Sequence, residues 1–208
     1  MRYTGPKTKL CRREGINLFG SEKYDLSQNH RKPLTSRFGK TSGFGLQLRK
    51  KQAAKRMFGL TERQFSNYYK KAVRMDGVLG ENMLSLLERR LDNVVFKANF
   101  ARTIMQGRQF VGHAHLLVNG KKVNIPSYAV SVGDVISIRE KLKESPVYKT
   151  LVLELEEFVK TNANGTVSAA KWLEVDSKKL TITVKSLPSK EDFDQVIDVQ
   201  KIIEFYSK

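Results

Sequence analysis

The sequence predicts an α+β protein: a helical domain preceded by an irregular basic N-terminal extension, joined to a small module of two helices and an antiparallel sheet. Three observations carry that expectation. Apolar residues recur at helical spacing between residues 46 and 111, with polar residues between them. Asn119-Gly120 sits between LLV and KKV, a strong signal for a two-residue hairpin because both turn positions need positive φ. Apolar runs bounded by turn residues follow at Val135–Arg139, Trp172–Val175 and Leu180–Val184. The expected boundaries are 1–45 for the extension, 46–89 completed by 190–208 for the helical domain, and 90–189 for the module, with its core at 90–138.

Taken in order, residues 1–45 show no sustained period, and Pro6 and Pro33 act as breakers. Such a segment buries too little apolar surface to offset its own ordering entropy, so it is expected to order against a partner. LQLRKKQAAKRMF at 46–58 reads as a helix, with Leu46, Ala53, Met57 and Phe58 on one face and Gly59 as its stop. Arg49, Lys50, Lys51, Lys55 and Arg56 cover the remainder without a single acid, which favours phosphate contact over a merely solvated face. Thr61 and Gln64 fit a capping box opening a second helix, with Phe65, Tyr68, Tyr69, Ala72 and Val73 at helical spacing. A third helix is expected from Glu81 to Lys97 with a break near Arg90, burying Leu84, Leu87, Leu91, Val94 and Val95. Asp92 reads as structural, whereas Arg90 either pairs with it or reaches a phosphate.

Thr103 is the expected N-cap of the next helix, with Ile104, Phe110 and Val111 inward and Arg102, Arg108 and Gln109 outward. His113 and His115 are placed on one strand face, just before the hairpin that carries Lys121 and Lys122. Pro126 limits the second hairpin strand, and Gly133-Asp134 makes another turn. Val147, Leu151, Leu155 and Phe158 suggest a further helix, Asn162–Gly165 a loop, and VIDVQKIIEFYSK a short closing helix.

The 208 residues carry 38 Lys and Arg against 21 Asp and Glu, a net charge of +17. That excess points to a polyanionic partner. It is uneven: residues 1–60 hold 15 basic and 3 acidic side chains, and residues 150–208 hold 8 and 10. The polyanion is therefore expected against the N-terminal and middle parts. One cysteine, Cys11, excludes a disulfide within the chain and favours a reducing compartment. No apolar run approaches the ~18 residues of a membrane span, so a soluble, cytoplasmic protein is expected.

Catalysis finds little support. The histidines (His30, His113, His115) and Cys11 make no nucleophile–base pair in sequence. A lone His-x-His offers two of the four ligands that zinc usually takes, so structural or RNA-contacting roles are favoured. Gly39-Lys40-Thr41 resembles the end of a P-loop, but Leu34 stands where the first glycine is required. No cofactor and no metal is expected. Folded RNA suits a protein that reads shape and backbone charge.

Nearly the whole chain resembles one family. Its marks are RYTGP at 2–6, CRREG at 11–15, LQLRKKQ at 46–52, ERQF at 62–65, GEN and LLERRLDNVVF within 80–96, VNGKKVNIPSY at 119–128, GDVISIREK at 133–141, WLEVD at 172–176 and EFYSK at 204–208. Together they resemble small-subunit ribosomal protein four of the bacterial and organellar type. The resemblance implies binding of small-subunit rRNA at a helix junction in the 5′ domain, early in assembly. It further implies neighbours in ribosomal proteins three and five, mRNA near the entry channel, and in some members repression of their own operon. It implies residence in the small subunit, in the cytoplasm or an organellar matrix, with no membrane partner and no homo-oligomer. Residues 90–138 resemble that family's RNA-binding module.

Charge and resemblance together give the candidate rRNA contacts. They are Arg12 and Arg13 in the extension; Arg49, Lys50, Lys51, Lys55, Arg56 and Arg63 in the helical domain; and Arg90, Arg108, Gln109, His113, Lys121, Lys122 and Tyr128 in the module. Two departures from the family matter. Many members bind zinc through four N-terminal cysteines, whereas here Thr8 replaces one and only Cys11 remains, as in the zinc-free form. The module's helix has Ile104 and Met105 where the family often has basic residues after the cap, with Arg108 and Gln109 retained, and Gly107 stands where the family often has Ala, at an expected cost of about 1 kcal/mol in helix propensity. Two alternatives use the same module: an RNA-modifying enzyme, which needs a separate catalytic domain, and a free stress-response RNA-binding factor, which would sediment away from small subunits.

Overall fold

The computed structural model describes residue 3, residues 5–19, 22–24, 26, 42–161 and 170–207. In chain order the described helices are α1 (Lys7–Glu14), α2 (Gly43–Met57), α3 (Glu62–Val73), α4 (Leu79–Glu88), α5 (Leu91–Lys97), α6 (Ile104–Gly112), α7 (Glu140–Lys143), α8 (Pro146–Thr161) and α9 (Val199–Tyr206). The strands are β1 (Leu116–Val118), β2 (Lys121–Lys122), β3 (Val135–Ile138), β4 (Leu173–Asp176) and β5 (Thr181–Val184). The chain divides into two compact units, Met1–Leu84 with Asp194–Lys208, and Ser85–Phe193.

In the first unit, residues 7–14 are helical although the sequence there shows no sustained period. The reason lies outside the segment: Cys11 and Leu18 bury against Ala53 of α2, with Leu10, Ile16, Phe19 and Met57 packed around them. Gly15, at φ 73°, ends α1 in the left-handed region that suits glycine. Gly39-Lys40-Thr41, which lacks the first glycine of a P-loop, and His30 lie outside the described residues.

Helix α2 starts three residues before the expected position because Ser42 caps it, its hydroxyl accepting from the Gly45 N–H at 3.2 Å. At its end Gly59 takes φ 59°, and the N–H groups of Leu60 and Gly59 bond to the carbonyls of Lys55 and Arg56, both at 3.0 Å. That is a Schellman motif. Ala54 joins Ala53 and Phe58 on the buried face, whereas Leu46 is exposed. Thr61 and Gln64 form the expected reciprocal capping box of α3, and Phe65 and Ala72 are buried below it. Val73 faces solvent instead of the core.

The second unit begins within α4. The expected break falls at Arg90, whose extended backbone (φ −67°, ψ 135°) separates α4 from α5 and bridges to Ala129. The five strands pair antiparallel in the order β2-β1-β3-β5-β4. One face of this sheet carries Leu116, Val118, Ile136, Ile138, Ile182 and Val184, which are buried together with Leu91, Val94 and Val95 of α5 and Val111 of α6. Helix α8 adds Tyr148, Leu151 and Leu155. Each fully buried side chain of this size contributes about 1.5–3 kcal/mol relative to exposure. Within α8 the inward residue of the first turn is Tyr148, one place later than the expected Val147, which is 55% exposed. The expected loop at 162–165 lies outside the described residues.

Candidate nucleic-acid interface

The cationic side chains are organised by three carboxylates, each shared by two bases. In the first unit, Glu14 at the end of α1 is buried to 1% side-chain exposure and takes Arg49 at 3.4 Å and a short hydrogen bond from Arg56, both on α2. Burial pushes the Glu14 carboxyl up, against the pull of Arg49 and Arg56. Glu62, in the first turn of α3, accepts from Lys51 at 2.6 Å, Lys55 at 2.9 Å and the Tyr206 hydroxyl at 2.8 Å. Partial burial opposes ionisation of Glu62, but those three hydrogen bonds overcome it and hold the carboxyl down to about 2.

The third cluster lies in the second unit. Asp92 is fully buried and accepts from Arg90 at 3.0 and 2.8 Å and from Arg108 at 2.9 and 2.7 Å. Arg108 reaches it because α6 lies hard against α5. A Cβ on Gly107 would stand 2.7 Å from the Asp92 carbonyl oxygen. Gly107 is therefore a point of close approach as well as a weak helix former.

The hairpin forms as the sequence predicts, with Asn119 at φ 50° and Gly120 at φ 76°. Its tip is braced: the Asn119 amide donates to Asp134 at 2.8 Å, its carbonyl oxygen accepts from the Val135 N–H at 2.9 Å, and Asp134 also accepts from the Ser131 N–H at 2.8 Å. Lys121 and Lys122 leave this frame exposed, opposite Val118 and Leu117.

The candidate residues thus separate by position. Arg13, Arg63, Gln109, His113, Lys121 and Lys122 are exposed. Arg12, Arg49, Lys50, Lys55, Arg56 and Arg108 are half-buried, so part of each remains open to a ligand. Arg12 and Arg13 occupy the last turn of α1, where positive charge complements the helix dipole. Tyr128 is half-buried against the core, and its carbonyl accepts from the Leu91 N–H at 2.9 Å.

Two expectations are corrected. Lys51 is 4% exposed, with its ammonium on Glu62 and 4.3 Å from the Phe205 ring centroid. Arg90 is 3% exposed, and one edge of its guanidinium, Nε and Nη2, donates to the two carboxylate oxygens of Asp92. Both cations are buried and paired with a carboxylate inside the fold, in place of the outward position expected. His113 and His115 are likewise not on a strand: His113 caps α6, and β1 begins at Leu116. Glu14, Glu62 and the Asn119–Asp134 brace went unrecognised as organisers. The sequence carries a signal for Glu14 alone: residues 1–60 hold only 3 acids against 15 basic side chains, so each acid has several cations to collect.

Among the described residues no helix is long and apolar enough to cross a membrane, and no group of three or more potential metal ligands forms. Comparison with known proteins adds the lineage. Residues 2–88 match the ribosomal protein S4/S9 N-terminal domain, and residues 89–136 match the S4 domain. Over its full length the chain is 46% identical to the small ribosomal subunit protein uS4 of Hahella chejuensis, covering 99% of that protein. It is 45% identical to the uS4 protein of Heliobacterium modesticaldum and 42% to that of Halothermothrix orenii, again with full coverage of this chain and 99% of each relative.

Proposed function

We propose a function from one premise: the chain belongs to the small ribosomal subunit protein uS4 family. It is a structural, non-enzymatic constituent of the small subunit that binds small-subunit rRNA. The observation that carries this is the arrangement of charge. Each of the three carboxylate centres holds two bases, so each cluster keeps a net positive charge while its side chains are fixed in place. Fixed cations lose little entropy on meeting phosphate and release counterions when they do.

The contacts assigned to rRNA are the exposed Arg13, Arg63, Gln109, His113, Lys121 and Lys122, the half-buried Arg12, Arg49, Lys50, Lys55, Arg56 and Arg108, and the rim of Tyr128. On the same reading the chain binds early in assembly within the 5′ domain of the rRNA. It then lies beside ribosomal proteins three and five and near the mRNA entry channel, in the compartment where the subunit is made. Sedimentation tests the role. A tagged chain should migrate with small subunits in cell extract, and recovery mainly in ribosome-free fractions would support the free-factor alternative instead.

A further inference from the structure

We propose that Phe110, His113 and His115 form a stacking site for an unpaired nucleobase; the proposal rests on the RNA-binding reading above. The His-x-His pair attracts attention in the sequence for its metal-like spacing, but the structure gives it aromatic company. Helix α6 closes with the His115 N–H on the Phe110 carbonyl at 3.0 Å and the Ala114 N–H on the Val111 carbonyl at 2.8 Å, with Ala114 in the left-handed region at φ 56°. This Schellman turn brings the two imidazoles together, 5.8 Å apart and edge to face. His115 lies nearly parallel to Phe110, with centroids 5.5 Å apart and planes at 18°. The buried Tyr148 hydroxyl holds His115 Nδ1 at 2.8 Å, and the Tyr148 ring braces Phe110 at 5.6 Å. Arg139 bonds to the same turn, its backbone N–H to the His115 carbonyl at 3.0 Å and its guanidinium to the Ala114 carbonyl at 3.4 Å.

The outcome is a ledge of aromatic rings, anchored from behind and open at His113, with a cation beside it. Desolvation, His113 and Arg139 lower the His115 pKa, which keeps that ring neutral near pH 7. Single-stranded RNA segments are recognised by stacking on such rings, whereas duplex edges are not within their reach.

The test uses the full chain and small-subunit rRNA at fixed salt. His113→Ala and His113→Gln should each weaken binding by roughly 5- to 150-fold, the range for losing one base–aromatic stack. His113→Phe should bind like the unaltered chain, and the dependence of affinity on salt should stay the same in all three. The proposal fails if Gln is tolerated and Phe is not, which would mark a hydrogen bond to phosphate or base. It fails equally if all three variants bind normally or lose alike. Failure of the unaltered chain to bind small-subunit rRNA would instead overturn the function proposed above, and this site with it.

Discussion

Gly107→Ala separates two physical arguments of opposite sign. Helix propensity alone favours alanine by about 1 kcal/mol at a helix interior. The structure opposes it. The new methyl carbon would lie 2.7 Å from the Asp92 carbonyl oxygen, where ordinary contact begins at 3.4 Å. That atom is backbone of α5, so no side chain can swing away, and α5 and α6 must part by about 0.7 Å. Overpacking of this kind costs about 1–3 kcal/mol. The same shift draws Arg108 from Asp92, where it now bonds at 2.7 and 2.9 Å. Together these outweigh the propensity gain, and the expected net loss is about 1–2 kcal/mol. Trp172, the only tryptophan, is buried in the core of the same unit and reports its unfolding by fluorescence. Urea titrations should show a lower midpoint with an unchanged slope. A midpoint raised by the equivalent of about 1 kcal/mol would mean that propensity governs and that the close approach is no constraint.

Two further outcomes follow from where the fold places its charges. Lys121→Ala should reduce the slope of log affinity for small-subunit rRNA against log salt by up to roughly one unit without affecting stability; Lys51→Ala should destabilise the fold and leave that slope unchanged. The reverse pattern would show that burial misassigns the two lysines. Glu62 has a folded pKa of about 2 against an ordinary 4.5, so between those values the unfolded state binds more protons. Its stabilisation is complete above pH 4.5 and is lost as pH falls towards 2; with the side chain 47% exposed, screening limits it to about 1 kcal/mol. Glu62→Gln should flatten the acid limb of a stability–pH curve followed by circular dichroism, and an unaltered limb would remove Glu62 as its source.

What could be read from the sequence was local. The Thr61–Gln64 box, the Thr103 cap, the chain break at Arg90 and the Asn119-Gly120 turn each depend on residues within a few positions of one another, and each stands in the structure. What could not be read depends on partners far along the chain. Helix α1 has no period of its own because Ala53 and Met57 complete its apolar face. Lys51 looks like any other lysine of a basic helix until α9 places Phe205 and Tyr206 over it. Arg90 could be either buried or exposed until Asp92 took the Nε–Nη2 edge of its guanidinium. Gly107 showed its propensity cost in the sequence, but its purpose appears only where α5 and α6 meet. The interface was thus legible as a charge, and the fold decides which cations belong to the outside.

The most direct measurement is equilibrium binding of the purified chain to small-subunit rRNA across a series of salt concentrations, with large-subunit rRNA as competitor. A structural small-subunit protein held by outward cations should bind selectively, with log affinity falling linearly as log salt rises. Equal affinity for both RNAs, or an affinity insensitive to salt, would contradict the account.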